Sequence, residues 1–289
     1  MYHYQLNMVG LTWDILSPIE LPPDETCKPF LTHDECYDIQ LTFELGCPNI
    51  TGLPIWERAP IVYQDENGFF VQRTLAVKTI PSTCIYLSKN WSSKIYGWID
   101  PDRKNDIRSI ESLLDVSELE ILLSYFGAVS LHSSFIRKNG QAVLFTAPSG
   151  TGKSTQADLW REYRKAEIIN GDRSMIRKLD SGWTAFGSPF AGSSSIYKNE
   201  SVPIGAIVIL RQAPYNEIRR LKASEAFRYL YSEMVVPKWH SEAHKKIITI
   251  TEQLAREVPI LLLQCLPDES AVETLEQYLN TLESFQNGR

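Results

Sequence analysis

The sequence has no long apolar run, no paired-cysteine spacing and no excess of positive charge, and each absence removes a class of protein. Its longest apolar stretch, Val258-Pro-Ile-Leu-Leu-Leu263, falls far short of the roughly 20 residues that a bilayer-spanning helix needs. The start, Met1-Tyr-His-Tyr-Gln-Leu-Asn7, lacks the basic region followed by an apolar one that marks a secretory leader. The five cysteines, Cys27, Cys36, Cys47, Cys84 and Cys265, are odd in number and contain no C-x-x-C pair. That spacing suits reduced thiols better than a disulfide framework or a zinc site. These features lead us to expect a soluble, cytoplasmic protein with no membrane partner. The formal net charge of −6 argues against a protein that works on the nucleic-acid backbone, because such binding relies on clustered Lys and Arg. A local basic pocket for a small polyanion remains compatible with an acidic whole.

What is present is ordinary globular material. The chain has 289 residues, 43% of them hydrophobic and 22% charged, enough for a core and for one or two domains. Up to about residue 100 it is rich in Pro, Tyr, Trp and β-branched residues, with strand-like runs such as Ile39–Leu45. Pro60 to Gln64 and the run from Phe69 read as a hairpin around Asn67-Gly68, a pair that favours positive φ angles. Trp56, Trp91 and Trp98 read first as core and second as a surface for an acceptor or a second copy of the chain. The polar stretch Asp100–Asp106 suggests a boundary. We therefore expect a β-rich N-terminal region over residues 1–104, for acceptor recognition or oligomerisation, and a second domain over 105–289.

Helical patterning follows. Ser117-Glu-Leu-Glu120 matches a capping box, with Leu119, Leu122, Leu123 and Phe126 on one face. Two strands joined by Asn139-Gly140 come next, Val129–Arg137 and Gln141–Thr146. The second delivers the chain to Ala147-Pro-Ser-Gly-Thr-Gly-Lys-Ser-Thr155 and then to a helix from Ser154 to Lys165. An apolar strand, a glycine loop, Lys-Ser and a helix in that order form a phosphate cradle of the P-loop type, with alanine in place of the first glycine. Glycine lets successive amides turn towards a phosphate, and the helix start adds its free N–H groups and dipole. Ser149, Gly150, Thr151, Gly152, Lys153, Ser154 and Thr155 are the expected nucleotide-binding residues. In that pattern Lys153 reaches the β- and γ-phosphates and Ser154 holds Mg²⁺.

A phosphate-transferring site also needs a carboxylate for its metal and a group that activates the acceptor. Ala166 to Asn170 reads as a short strand with Asp172 just beyond its end, where parallel sheets present ligands. His132 lies on the strand antiparallel to the one feeding the loop. Ser188–Tyr197 reads as a small-residue lid or recognition loop, with a plain surface loop as the competing reading. Ile204–Leu210 and Val258–Leu263 read as strands buried on both faces. Arg211 follows the first of them, as a phosphate contact or a surface arginine. The apolar stripes of residues 227–234, 243–254 and 272–282 are helix faces without chemistry. There is no Asn-Lys-x-Asp for guanine and no Leu-Ser-Gly-Gly-Gln of the transport ATPases.

Leu131-His132-Ser133, the Asn-Gly turn, the Ala147–Thr155 loop, Gly171-Asp172-Arg173 and Gly187-Ser-Pro-Phe-Ala-Gly192 together resemble the HPr kinase/phosphorylase catalytic domain and its PEP-carboxykinase-like relatives. The resemblance covers about residues 117–282. It implies an α/β fold with a P-loop in a mixed sheet, and ATP- and Mg²⁺-dependent phosphoryl transfer to a hydroxyl of a protein, a peptide or a small molecule. It also implies that His132 joins the phosphate site. Where relatives carry two adjacent aspartates, one for metal and one as base, this chain has Gly171 and Asp172. Asp172 is then either the base or, with Ser154, the metal ligand while another group such as His132 activates the acceptor. The alternative is a nucleotide-binding sensor that transfers nothing. Oligomerisation of the chain, the donor (ATP, another nucleotide or pyrophosphate) and the acceptor stay open at this level.

Overall fold

The computed structural model describes residues 1–22, 24–75, 80–282 and 285. The chain divides into two units, Met1–Leu122 and Leu123–Arg289. The first holds strands β1 (Tyr2–Met8), β2 (Leu11–Ser17), β3 (Ile39–Leu45), β4 (Ile61–Gln64), β5 (Gly68–Arg73), β6 (Thr83–Ser88) and β7 (Lys94–Ile99), then helix α1 (Ile110–Asp115). They form a seven-stranded mixed sheet in the order β1-β2-β3-β7-β6-β5-β4, with β3 parallel to both β2 and β7. Alternation in β3 buries Ile39, Leu41 and Phe43 on one face, as its sequence pattern requires.

Three local expectations change here. The β4–β5 hairpin forms, but neither Asn67 nor Gly68 takes a positive φ; the Asp65 carboxylate accepts from their amides at 2.8 and 2.6 Å. Trp91 is 40% exposed, and Trp56 and Trp98 are half-buried, so none of the three is core. Ser117 caps nothing: its hydroxyl donates to the Leu113 carbonyl at 2.6 Å. The capping box belongs to Ser109 and Ser112 at the start of α1. Glu118 is left-handed and its carboxylate takes Arg73 from β5 at 2.5 Å. With Ile110, Leu113 and Leu114 also buried, α1 goes with the β-rich unit, and the division falls after residue 122, later than 104.

Helix α2 (Leu119–Tyr125) spans the division. The second unit continues with β8 (Ala128–Lys138), β9 (Gln141–Thr146), α3 (Lys153–Arg164), β10 (Glu167–Asn170), β11 (Arg173–Leu179), β12 (Gly182–Phe186), β13 (Ser201–Gln212) and β14 (Glu217–Arg220). It ends with α4 (Ala223–Glu233), α5 (Ser241–Glu257), β15 (Ile260–Cys265) and α6 (Glu269–Leu279). The eight strands make one mixed sheet, and two long strands change partner along their length. β8 pairs with β11 up to His132 and with β9 from Ser133 onward; β13 pairs with β12 and then runs parallel to β9 and β15.

The buried runs of β9, β13 and β15 alternate between two cores. Leu144, Ile207 and Leu262 face Leu230 of α4 and Ile247 and Leu254 of α5. Phe145, Val208, Leu261 and Leu263 face Trp160 of α3 and Leu275 of α6. Helices thus cover both sides, which is why these strands read as continuously apolar. β10 differs from the expected parallel strand, since it pairs antiparallel with the end of β8. β14 has a polar sequence with little strand signal and forms by pairing with β15. Among the described residues, no helix is long and apolar enough to cross a membrane.

Candidate functional site

β9 ends at Thr146, held between Ser133 of β8 and Ile209 of β13, and the loop from Ala147 to Gly152 leaves from the middle of the sheet. Gly150 and Gly152 have φ of 79° and 116°, where a side chain is strained, so glycine is required at both turns. Pro148, Ser149 and Gly150 are exposed. Gly152 precedes α3 with no side-chain cap, which leaves the first amides of a twelve-residue helix available to an anion. Ser154 and Thr155 are exposed at that start. Lys153 is 8% exposed, and its ammonium crosses back to donate to the Ala147 carbonyl at 2.8 Å. Burial pushes its pKa down, while the carboxylates of Glu233 and Asp172 pull it back up.

His132 stands where β8 leaves β11 for β9, so its backbone is fixed by two neighbours. It pairs in register with Arg173, and its carbonyl accepts from the Thr146 hydroxyl at 2.8 Å. Asp172 lies in the tight turn between β10 and β11. The Asn170 side-chain oxygen accepts from the amides of Asp172 and Arg173 at 2.9 and 2.8 Å, while its amide group donates to the carbonyls of Ser188 and Phe190. Asn170 is fully buried, so one side chain shapes the turn and ties the Ser188–Tyr197 loop to it. The Asp172 carbonyl accepts from the Ser133 amide at 3.0 Å, and its Oδ1 lies 3.5 Å from His132 Nε2. The imidazole N–H holds the Asp172 carboxyl below the usual carboxylate range against the effect of burial, and Arg173 and Lys153 add to it.

Gly171 is occupied space rather than a gap. A Cβ built there would lie 2.0 Å from Ser194 Oγ and 2.3 Å from its Cβ. The next glycine of that loop, Gly192, sits against Asp172, whose Cγ would be 2.7 Å from an added Cβ. The small residues of Ser188–Ser195 therefore let this loop close over the Asp172 turn.

Glu233, the last residue of α4, was not anticipated from the sequence. Its Oε2 lies 3.9 Å from His132 Nδ1, and its side chain is 13% exposed. A strand-like bridge fixes it there: Met234 pairs with Leu131, and the Val235 amide donates to the Ser130 carbonyl at 3.2 Å. The only sequence signal is an acid at a helix C-terminus, a place the helix dipole disfavours.

Two clefts flank the glycine loop. One, of about 500 Å³, lies on the α3 side and is lined by Gly152, Thr155, Gln156, Cys265, Leu266 and Pro267. The other, of about 460 Å³, is lined by Ala147, Pro148, Ser149, Tyr229, Ser232 and Glu233. Arg211 and Gln212, at the end of β13, border both. Among the described residues no three His, Cys, Asp or Glu side chains are grouped to hold a metal ion by themselves. The candidate metal residues Ser154, exposed at the start of α3, and Asp172, half-buried in the β10–β11 turn, each offer oxygen donors of the kind Mg²⁺ takes.

By class this is a mixed α/β protein whose second unit presents a glycine loop between a buried strand and a helix, with a histidine and two carboxylates nearby. The chain belongs to the family described as SynChlorMet cassette protein ScmC, whose model matches residues 98–280. No curated protein matches it. Among solved structures it is similar to the Hpr(Ser) kinase/phosphatase from Coxiella burnetii, at 12% identity and a TM-score of 0.35, over 53% of this chain and 96% of that one.

Proposed function

We propose that the second unit is an ATP- and Mg²⁺-dependent kinase that transfers a phosphoryl group to a hydroxyl, on a serine of a protein or peptide or on a small molecule. The observation that carries this reading is the meeting of Lys153, His132 and Asp172 beside a glycine loop whose strand, turns and helix start suit a P-loop. The amides of residues 149–155 and Lys153 bind the phosphates. Ser154 and Asp172 hold the cation, which when bound neutralises charge on the phosphates. With Gly171 filled by Ser194, Asp172 takes the metal role, and His132 orients its carboxylate. The cleft beside Thr155 and Leu266 takes base and ribose, and the cleft beside Tyr229 takes the acceptor. The N-terminal unit recognises the acceptor or a second copy of the chain, in the cytoplasm.

The test is transfer of label from γ-labelled ATP, with Mg²⁺, to a panel of hydroxyl acceptors: serine-containing peptides, free serine, sugars and water. Transfer that is lost in Lys153→Ala supports the kinase. Tight nucleotide binding with no transfer to any acceptor supports the second reading, a nucleotide-binding sensor, which the single aspartate at 171–172 favours.

A further inference from the structure

We propose that Glu233 is the acceptor-activating base of this site, a catalytic residue delivered by α4 in place of the acid absent at Gly171. The proposal rests on the kinase reading and deepens it. Three independent features support it. First, Glu233 and Asp172 lie against opposite nitrogens of His132, Nδ1 at 3.9 Å and Nε2 at 3.5 Å, so the imidazole separates two carboxylates with different surroundings. That separation suits a division of roles between them. Second, Glu233 lines the cleft on the Ala147–Ser149 side of the loop, the one assigned above to the acceptor, whereas Asp172 lies under Gly192.

Third, the placement is locally unfavourable and still enforced. An acid ends α4 where the dipole opposes it, and no basic residue occupies that last turn. The bridge from Met234 to Leu131 and the Val235–Ser130 hydrogen bond nevertheless hold Glu233 beside His132. Such local conflicts concentrate at working sites. The Ser232 hydroxyl donates to Oε1 at 3.4 Å, a weak contact that leaves Oε2 on the His132 side.

In the step, the acceptor O–H gives its proton to a Glu233 carboxylate oxygen as the acceptor oxygen bonds to the γ-phosphorus. The bond from that phosphorus to the bridging oxygen breaks, and its electron pair leaves on the nucleoside diphosphate. Asp172, on the other side of His132, keeps the cation-ligand role.

The experiment compares the full chain with Glu233→Gln and Glu233→Asp, using Mg²⁺ with γ-labelled ATP and the best acceptor of the panel, and measures ATP binding in parallel by equilibrium dialysis. Thermal melts confirm that each variant is folded. We expect Glu233→Gln to lower kcat by about 10²- to 10⁴-fold, the range for a lost general base. Its ATP affinity stays within about threefold or tightens, since an anion near the phosphates is removed. Glu233→Asp should recover at least about tenfold over the glutamine variant. Asp172→Asn, in contrast, should weaken Mg²⁺-dependent ATP binding. If Glu233→Gln transfers label at the native rate, or loses ATP binding in proportion to kcat, the assignment is overturned and the kinase reading stands. If the native chain transfers nothing, both fall together.

Discussion

Substituting Gly171 should be costly for a reason that concerns packing and not backbone freedom. The φ of Gly171 is not among the positive ones, so alanine meets no Ramachandran penalty there. The difficulty is Ser194, whose Oγ and Cβ would lie 2.0 and 2.3 Å from the new methyl. Ser194 cannot turn aside without loss, because its hydroxyl donates to the Ala191 carbonyl at 2.7 Å and accepts from the Ile196 amide at 3.2 Å. Overpacking of this kind costs about 1–3 kcal/mol and each lost hydrogen bond about 1 kcal/mol, so Gly171→Ala should lose about 2–4 kcal/mol. At about 2–4 °C per kcal/mol for a unit of this size, the melting temperature falls by about 5–15 °C. Urea denaturation of Gly171→Ala, Ser194→Gly and the double variant measures the effect. In the Ser194→Gly background the alanine should cost less than about 1 kcal/mol, giving a coupling of at least about 1 kcal/mol. A neutral Gly171→Ala, or strict additivity in the double variant, would refute the packing of this loop over the turn. The consequence for function is that Gly171→Asp, which restores the paired aspartates of the resembled family, destabilises the protein and does not raise transfer.

Two further outcomes follow from the same site. Asn170→Ala removes the side chain that shapes the Asp172 turn and leaves buried carbonyls and amides unpaired; it should cost about 3 kcal/mol in urea denaturation, and weaken Mg²⁺-dependent ATP binding. Lys153→Met should abolish ATP binding in dialysis. It should also change how stability varies with pH. Burial lowers the folded pKa of Lys153 below its unfolded value, so the unfolded chain binds that proton more tightly, and native stability rises as pH climbs from the folded pKa towards the unfolded one near about 10.4. The methionine variant lacks this rise, and its stability relative to native should fall as pH increases through that window; an unchanged difference between pH 7 and 10 would count against the burial of the charge.

The glycine loop, its flanking strand and helix, and the parallel apolar strands were legible in the sequence because local rules determine them. Gly150 and Gly152 mark turns that only glycine makes easily, Asn139 and Gly140 take the positive φ that their pair favours, and β13 and β15 are apolar throughout because helices cover both faces. Local signals also misled where a tertiary partner overrode them. Ser117 matches a capping box but bonds to Leu113, and Glu118 turns left-handed to meet Arg73, so the division of the chain falls within α2.

The sequence by itself determined where a glycine loop joins a buried strand to a helix, since strand, turn and helix signals lie within a few residues of one another. Only the tertiary structure decided that Glu233 stands on the far side of His132, and that Ser194 fills the space beside Gly171. Both depend on contacts between segments far apart in the chain, set by the Met234–Leu131 bridge and by the closing of the Ser188–Ser195 loop, and no local pattern of residues encodes such a distance.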